Sequence, residues 1–323
     1  MRTDVVCVGA GGMDITTSLV DEKRVFRDMV NYVDSITACP GGDALNEALT
    51  LGKLGHSVGF LGCIGEDVMG HALRSAAEAC GVNMSSVKVS RTLPTQTVVS
   101  LVAEGDNRTF FFRKENASQR LDISCIDWDA VENAKVLSFG SLLFCESFDG
   151  GQLLELFRRA KAHGVITCAD IALSDEVKDL AVGLEKVFPY IDYIFPNYEE
   201  AAALSGREDP EAISDYFLGL GVKNAIIKLG GDGCFAKGSE GVHRVPIFRV
   251  ETVNTTGAGD NFLAGFISGL LQGLNMRERL VFGSATAALT VQVEGASDGV
   301  KSMEQVCAFL SGKRDEKREG PSA

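Results

Sequence analysis

Short apolar runs alternate along this chain with stretches whose apolar residues recur at helical spacing. Runs at 5–9 and 58–64 are followed by helical patterns, one from Asp43 to Gly55 and one over 68–80 closed by Gly81. The alternation resumes with a run at 135–139, a helix near 151–162, runs at 165–170, 193–196 and 225–229, and long helices after Gly257 and Asn275. Apolar strands set between helices predict an α/β fold: a central, mostly parallel sheet covered on both faces, with ligands at the carboxyl ends of the strands. Two segments break the rhythm. Residues of about 15–37 are polar and β-branched around Asp21-Glu22-Lys23, and the stretch of about 95–118 reads as a hairpin around Glu104-Gly105-Asp106-Asn107. Together they predict a small separate sheet, with edge decoration of the main sheet as the alternative. The expected organisation is one domain over 1–310 carrying both inserts, and a charged, disordered tail over 311–323.

The stretch with the most chemistry is Asn254-Thr255-Thr256-Gly257-Ala258-Gly259-Asp260, which runs into Asn261-Phe262-Leu263-Ala264-Gly265-Phe266. Phe262, Leu263, Phe266, Ile267, Leu270, Leu271 and Leu274 keep helical spacing, so the helix starts near Ala258 and its first amides lack intrahelical acceptors. Gly257 and Gly259 let the backbone approach a phosphate, and the helix end adds roughly half a positive charge. Asp260 then stands beside an anion site. There it can take the proton of an attacking hydroxyl while the amides of Gly257, Ala258 and Gly259 hold the phosphoryl group. The helix dipole is expected to lower the pKa of Asp260 and keep it ionised. A core helix capped by Thr255 or Thr256 carries the same residues; the small face Ala264, Gly265, Ser268 and Gly269 favours function.

Composition narrows the partners. With 323 residues, 45% of them apolar, and 36 glycines, the chain can bury one large α/β core and a smaller appendage. A formal charge of -13 without clustered Lys and Arg argues against nucleic acid and points to small molecules. Nine scattered cysteines without a Cys-x-x-Cys pair read as reduced thiols of a cytoplasmic protein, and the four histidines match no zinc spacing. Neither a signal-peptide pattern nor a membrane-spanning run is expected. Gly9-Ala10-Gly11-Gly12-Met13-Asp14 imitates a dinucleotide fingerprint, but Asp14 fills the third glycine position and no amphipathic helix follows. The Walker pattern is missing.

These motifs resemble the PfkB family of carbohydrate kinases, the ribokinase-like sugar and nucleoside kinases, whose late signature is commonly Asp-Thr-Thr-Gly-Ala-Gly-Asp. Asn254 replaces its first aspartate, which in the family lies near the nucleotide phosphates and, in several members, a monovalent cation. The early signature is similar too, in Gly41-Gly42-Asp43-Ala44-Leu45-Asn46 and Leu61-Gly62-Cys63-Ile64-Gly65-Glu66-Asp67. The resemblance implies a ribokinase-like fold with a small β-sheet lid that sometimes pairs two subunits. It also implies ATP and Mg2+ as cofactors, with a monovalent cation as a further candidate. Asp14, Gly41, Gly42 and Asn46 would hold the sugar. Asn197, Lys228, Gly230, Gly233, Thr256, Ser284 and Gly295 would surround the nucleotide, and Glu200 would reach magnesium through water. Capped helices and ordinary turns at these positions are the alternative.

The run Phe112-Arg113-Lys114-Glu115-Asn116-Ala117-Ser118-Gln119-Arg120-Leu121 is similar to one in 2-keto-3-deoxygluconate kinases, which implies that Arg113 faces the acid end of a substrate; a solvated strand charge is the alternative. Asp170-Ile171-Ala172-Leu173 departs from the Asp-x-Asn pattern of those kinases and of fructokinases. The expected function is ATP-dependent phosphorylation of a hydroxymethyl group on a sugar of fructose, ribose or 2-keto-3-deoxygluconate type. A nucleoside kinase of the same fold and a non-catalytic sugar or nucleotide sensor are the alternatives.

Overall fold

The structure, a computed structural model, describes residues 3–21, 23–103, 108–142, 147–172 and 183–318. The chain enters through β1 (Val5–Val8), buried at every residue. β2 (Gly12–Val20) and β3 (Ile36–Gly41) then leave as an antiparallel pair, and α1 (Asp43–Lys53) starts directly behind Gly42. Next come β4 (Val58–Leu61), β5 (Cys63–Gly65), α2 (Val68–Ala79), β6 (Val82–Asn83), β7 (Lys88–Ser90) and the antiparallel pair β8 (Gln96–Ala103) and β9 (Arg108–Phe112). The second half holds α3 (Trp128–Glu132), β10 (Val136–Phe139), α4 (Gly150–Ala162), β11 (Ile166–Ala169), β12 (Tyr193–Ile194), α5 (Tyr198–Ser205), α6 (Pro210–Gly219) and β13 (Asn224–Lys228). β14 (Cys234–Gly238), β15 (Gly241–Val245), α7 (Ala258–Leu271), α8 (Met276–Thr290) and α9 (Met303–Arg318) follow.

Among the described residues the large sheet has the order β15-β14-β13-β12-β11-β10-β1-β4-β6. It is parallel from β6 to β13 and antiparallel at the β14 and β15 edge. β1 explains why its strands read as unbroken apolar runs. Val6 and Val8 pack on one face with Phe139 and Phe157, while Val5 and Cys7 pack on the other with Phe60, Phe195 and Phe266, so both faces of the pleat are covered.

The two interrupting segments share one small sheet, ordered β3-β2-β8-β9, in which β2 and β8 run parallel. It reaches further than the β-branched pattern predicts, because the ladder recruits Gly12, Pro40 and Gly41 at its base. The stretch between β2 and β3 is no tight turn; it exposes Phe26, Met29 and Tyr32. The expected turn at 104–107 lies outside the described residues. At the other end, α9 continues through Arg318, beyond the tail boundary expected at 311. Val306 and the flanking Phe309 and Leu310 dock on Phe282 and Leu289 of α8 and anchor the helix.

Candidate active site

Most helices here begin on a capping side chain: Asp67, Asp149, Asn197, Asp209 and Asn275 each accept a backbone N–H at the head of α2, α4, α5, α6 and α8. α1 and α7 begin instead on Gly42 and Gly257, without a capping side chain. Both glycines hold positive φ, 97° and 77°, and a Cβ at Gly257 would lie 2.1 Å from the Ala296 carbonyl oxygen. No other residue fits there without moving the backbone. These two helices, without a capping side chain among the described residues, meet at the proposed site with their positive dipole ends, and backbone carbonyls hold two of their first-turn amides, Leu45 on Ala10 and Ala258 on Thr255.

A polar ladder joins them. Asn46 Nδ2 donates to Asp260 Oδ2 at 2.7 Å, and one turn further along α1 the Thr50 hydroxyl donates to Asn261 Oδ1. Asn261, fully buried, donates in turn to the carbonyls of Gly257 (2.6 Å) and Ala296 (2.7 Å), and so fixes the glycine turn. Its trace in the sequence is an amide at the head of an otherwise apolar helix. The small face of α7 has a different task from the one expected. A Cβ at Gly265 would meet Thr286 Oγ1 at 2.2 Å, so that face seats α8 rather than a ligand.

Two cavities adjoin at this point. The smaller, of about 290 Å³, lies between the head of α1 and the small sheet and is lined by Asp14, Gly42, Asn46, Gln96, Phe110 and Phe112 among others. The larger cleft, of about 1170 Å³, lies over the ends of β11 and β13 and is lined by Asn197, Glu200, Lys228, Gly230, Gly233 and Ser284 among others. Asp43, Ala172 and Asp260 line both.

Burial dominates the electrostatics. It pushes Asp260 well above the usual carboxylate range, and the neighbouring Asp43 carboxylate adds to the effect against the hydrogen bond from Asn46 and the charge of Lys228. The dipole-driven lowering expected from the sequence is therefore reversed, because desolvation by the surrounding helices outweighs half a charge at a helix end. Burial raises Asp14 from 3.8 to about 6, and burial with the Asp170 charge raises Asp43 to about 6. Lys228 Nζ, 2.5 Å from Asp170 Oδ2, is the counter-charge; against the cost of burial, that carboxylate raises the Lys228 pKa. A Cβ at Gly259 would stand 3.1 Å from the same ammonium.

The residues singled out by sequence sort as follows. Asp14, Gly42, Asn46, Thr256 and Gly257 line the smaller cavity, so Thr256 lies on the acceptor side while Thr255 faces the cleft. Gly41 stays behind the wall, where its missing side chain admits Asp14: a Cβ would fall 2.1 Å from Asp14 Oδ2. The Ala258 amide donates to Thr255 O at 3.2 Å, which removes it from the expected phosphoryl cradle. Asn197 and Glu200 form a reciprocal capping box on α5 and still line the cleft, so the structural and functional readings hold together. Gly295 borders neither cavity; its neighbours Glu294 and Ala296 line the smaller one. Arg113 is exposed and acts on Asp67. Strand alternation explains its exclusion: Phe110 and Phe112 face the cavity, so Phe111 and Arg113 fall on the other side. Asn254 ties the Thr256 amide (2.8 Å) to the Glu294 carbonyl (2.6 Å). Sequence reading quoted Asp43 and Asp170 only within motifs and gave no site role to them, to Gln96 or to Ser141, the last at φ 62° with its hydroxyl on Asp43. A side-chain residue at positive φ is uncommon and clusters at working sites.

A doubly covered parallel sheet with a small accessory sheet, and two cavities sharing an acid at a helix head, is the architecture of a ribokinase-like small-molecule kinase. The family model of the pfkB family carbohydrate kinases matches residues 2–303, and the chain belongs to that family as a sugar phosphotransferase. It is 30% identical over 281 residues to the 2-dehydro-3-deoxygluconokinase of Bacillus subtilis, covering 84% of this chain and 87% of the relative. It is 26% identical to a 5-dehydro-2-deoxygluconokinase of Clostridium perfringens, over 98% of this chain and 95% of the relative. The Arabidopsis thaliana ribokinase complexed with ribose and ATP superposes with a TM-score of 0.79 at 25% identity, over 96% of this chain and 99% of that one.

Proposed function

We propose that this carbohydrate kinase transfers the terminal phosphoryl group of ATP to a hydroxymethyl group of a small sugar or sugar acid, with Asp260 as the base. The observation that carries this reading is the Asp260 carboxylate at the junction of the two cavities, behind a helix start that no side chain caps. An alcohol in the smaller cavity would lie beside a carboxylate whose raised pKa makes it a better proton acceptor than an ordinary aspartate. The alcohol oxygen would form its bond to the γ-phosphorus as the bond to the β-phosphate oxygen breaks. The proton would pass to Asp260, and ADP would keep the electron pair. The Gly257 and Gly259 amides and the Lys228 ammonium would face the charge on the transferring group.

The donor set fits magnesium carried by the nucleotide. Magnesium keeps several waters and phosphate ligands and needs few protein oxygens. Glu200 and Asn197 would hold it through water, and the ion would neutralise phosphate charge. The small sheet is read as a lid that excludes water. The exposed Phe26, Met29 and Tyr32 in the connection between its strands β2 and β3 support pairing with a second copy of the chain, which a monomer in analytical ultracentrifugation would contradict.

An assay coupled to ADP release, run with ribose, fructose, 2-keto-3-deoxygluconate and a nucleoside, tests the function. Sugar-dependent ADP release that Asp260→Asn abolishes is the expected result. Equal release without any acceptor would contradict it.

A further inference from the structure

The loop that follows α8 closes over the head of α7, and the chain's own nitrogen donors hold its carbonyls. The Val253 and Asn254 amides donate to Val291 O at 2.7 and 3.2 Å. Asn254 Nδ2 donates to Glu294 O at 2.6 Å and Asn261 Nδ2 to Ala296 O at 2.7 Å. Lys53 Nζ, from the last residue of α1, donates to Ser297 O at 2.8 Å. This loop bears on the site, because Asn254, Gly257, Glu294 and Ala296 line the smaller cavity together with Asp260.

A monovalent cation, the further candidate raised by the family resemblance, does not fit these donors. The orientation of Asn254, only 8% exposed, is forced: the Thr256 N–H can only donate and takes Oδ1 at 2.8 Å, so Nδ2 is the end left for the Glu294 carbonyl. Asn261 is fixed in the same way, with Oδ1 accepting from Thr50 and Nδ2 serving the Gly257 and Ala296 carbonyls. An ion between the Asn254 side chain and Glu294 O would stand about 2 Å or more from each oxygen, even at the short reach of magnesium. The observed 2.6 Å spans a single hydrogen bond. Aspartate in place of Asn254 would set a second oxygen against that carbonyl, and a proton or a cation would have to stand between them. Positive charge on the loop comes from Lys53, whose ammonium also lies 3.7 Å from Asp298 Oδ1.

We infer that side-chain donors stand in for a monovalent cation in this chain: Asn254, Asn261 and Lys53 set the loop over the head of α7, and turnover is independent of potassium. The activity arm of the test rests on the kinase function proposed above, and the melting arm does not.

Both arms compare potassium chloride with tetramethylammonium chloride at equal ionic strength, so that screening is the same. For the parent, kcat/KM with MgATP and the best acceptor of the sugar panel is expected to be equal in the two salts. The melting temperature of the nucleotide-free parent is expected to be equal as well, because no ion binds the folded state preferentially. Activation of the parent by potassium, or a higher melting temperature in it, overturns the inference. Asn254→Asp exchanges the donor for an oxygen. Its potassium-to-tetramethylammonium ratio of kcat/KM is expected to rise by roughly tenfold, the scale of a buried oxygen left without a donor. Potassium should also raise the melting temperature of this variant. The ratio is insensitive to loss of folded enzyme, and a ratio equal to that of the parent overturns the role given to Asn254. ADP release in neither salt overturns the kinase reading, and the melting comparison then decides the loop by itself.

Discussion

Asp43 and Asp260 bring two carboxylates to one gap, the first from the opening residue of α1 and the second from the first turn of α7. Both side chains line both cavities, and after burial the charge of Asp43 is what most raises the pKa of Asp260.

That relationship sets the pH dependence. A base works only when deprotonated, so a raised pKa means that activity is lost as pH falls through that raised value rather than through the ordinary carboxylate range. Removing the like charge with Asp43→Asn should lower the Asp260 pKa and carry the acid limb of the kcat/KM profile to lower pH. A profile with an unmoved acid limb, recorded on folded variant, would separate the two carboxylates.

Lys228 and Asp170 form a buried pair in the cleft, and breaking it leaves an acid that is only 4% exposed without its counter-charge. Lys228→Met is expected to cost about 3–5 kcal/mol of stability and to raise KM for ATP. Adding Asp170→Asn should restore much of the melting temperature but not the affinity for ATP. Recovery of both would confine Lys228 to a structural role.

The capping box on α5 allows the cap and the proposed metal contact to be told apart. Glu200→Gln keeps an oxygen for the Asn197 amide, 3.0 Å away, and removes only the charge. Its melting temperature should stay near that of the parent while KM for MgATP rises several-fold. Asn197→Ala, which deletes the acceptor for the Glu200 amide, should cost about 1 kcal/mol in chemical denaturation. Equal KM in Glu200→Gln and parent would remove Glu200 from metal binding.

The sheet was legible because continuous apolar strands and amphipathic helices differ in period, and β1 with α7 fell where that difference placed them. Asp260 and the glycine turn were legible because short-range backbone geometry demands those residue types together. Asp43, Asp170 and Gln96 were not, because each acquires its meaning from partners far along the chain, as Asp170 does from Lys228. The pKa of Asp260 was misjudged for the same reason: the dipole is local and visible, whereas its burial comes from α1 packing across the helix start. For Arg113 the structure fits the solvated-charge alternative, because Phe110 and Phe112 take the cavity side of the strand, a difference of one residue that a motif match does not register.

The most direct test of the central claim replaces one oxygen of the shared acid. Asp260→Asn still offers an acceptor to Asn46 and leaves the glycine turn in place, so MgATP should bind with affinity near that of the parent in calorimetry. Its kcat for sugar phosphorylation is expected to fall by about 10²–10⁴. Turnover within a few-fold of the parent, with the same binding, would contradict the assignment of Asp260 as the base.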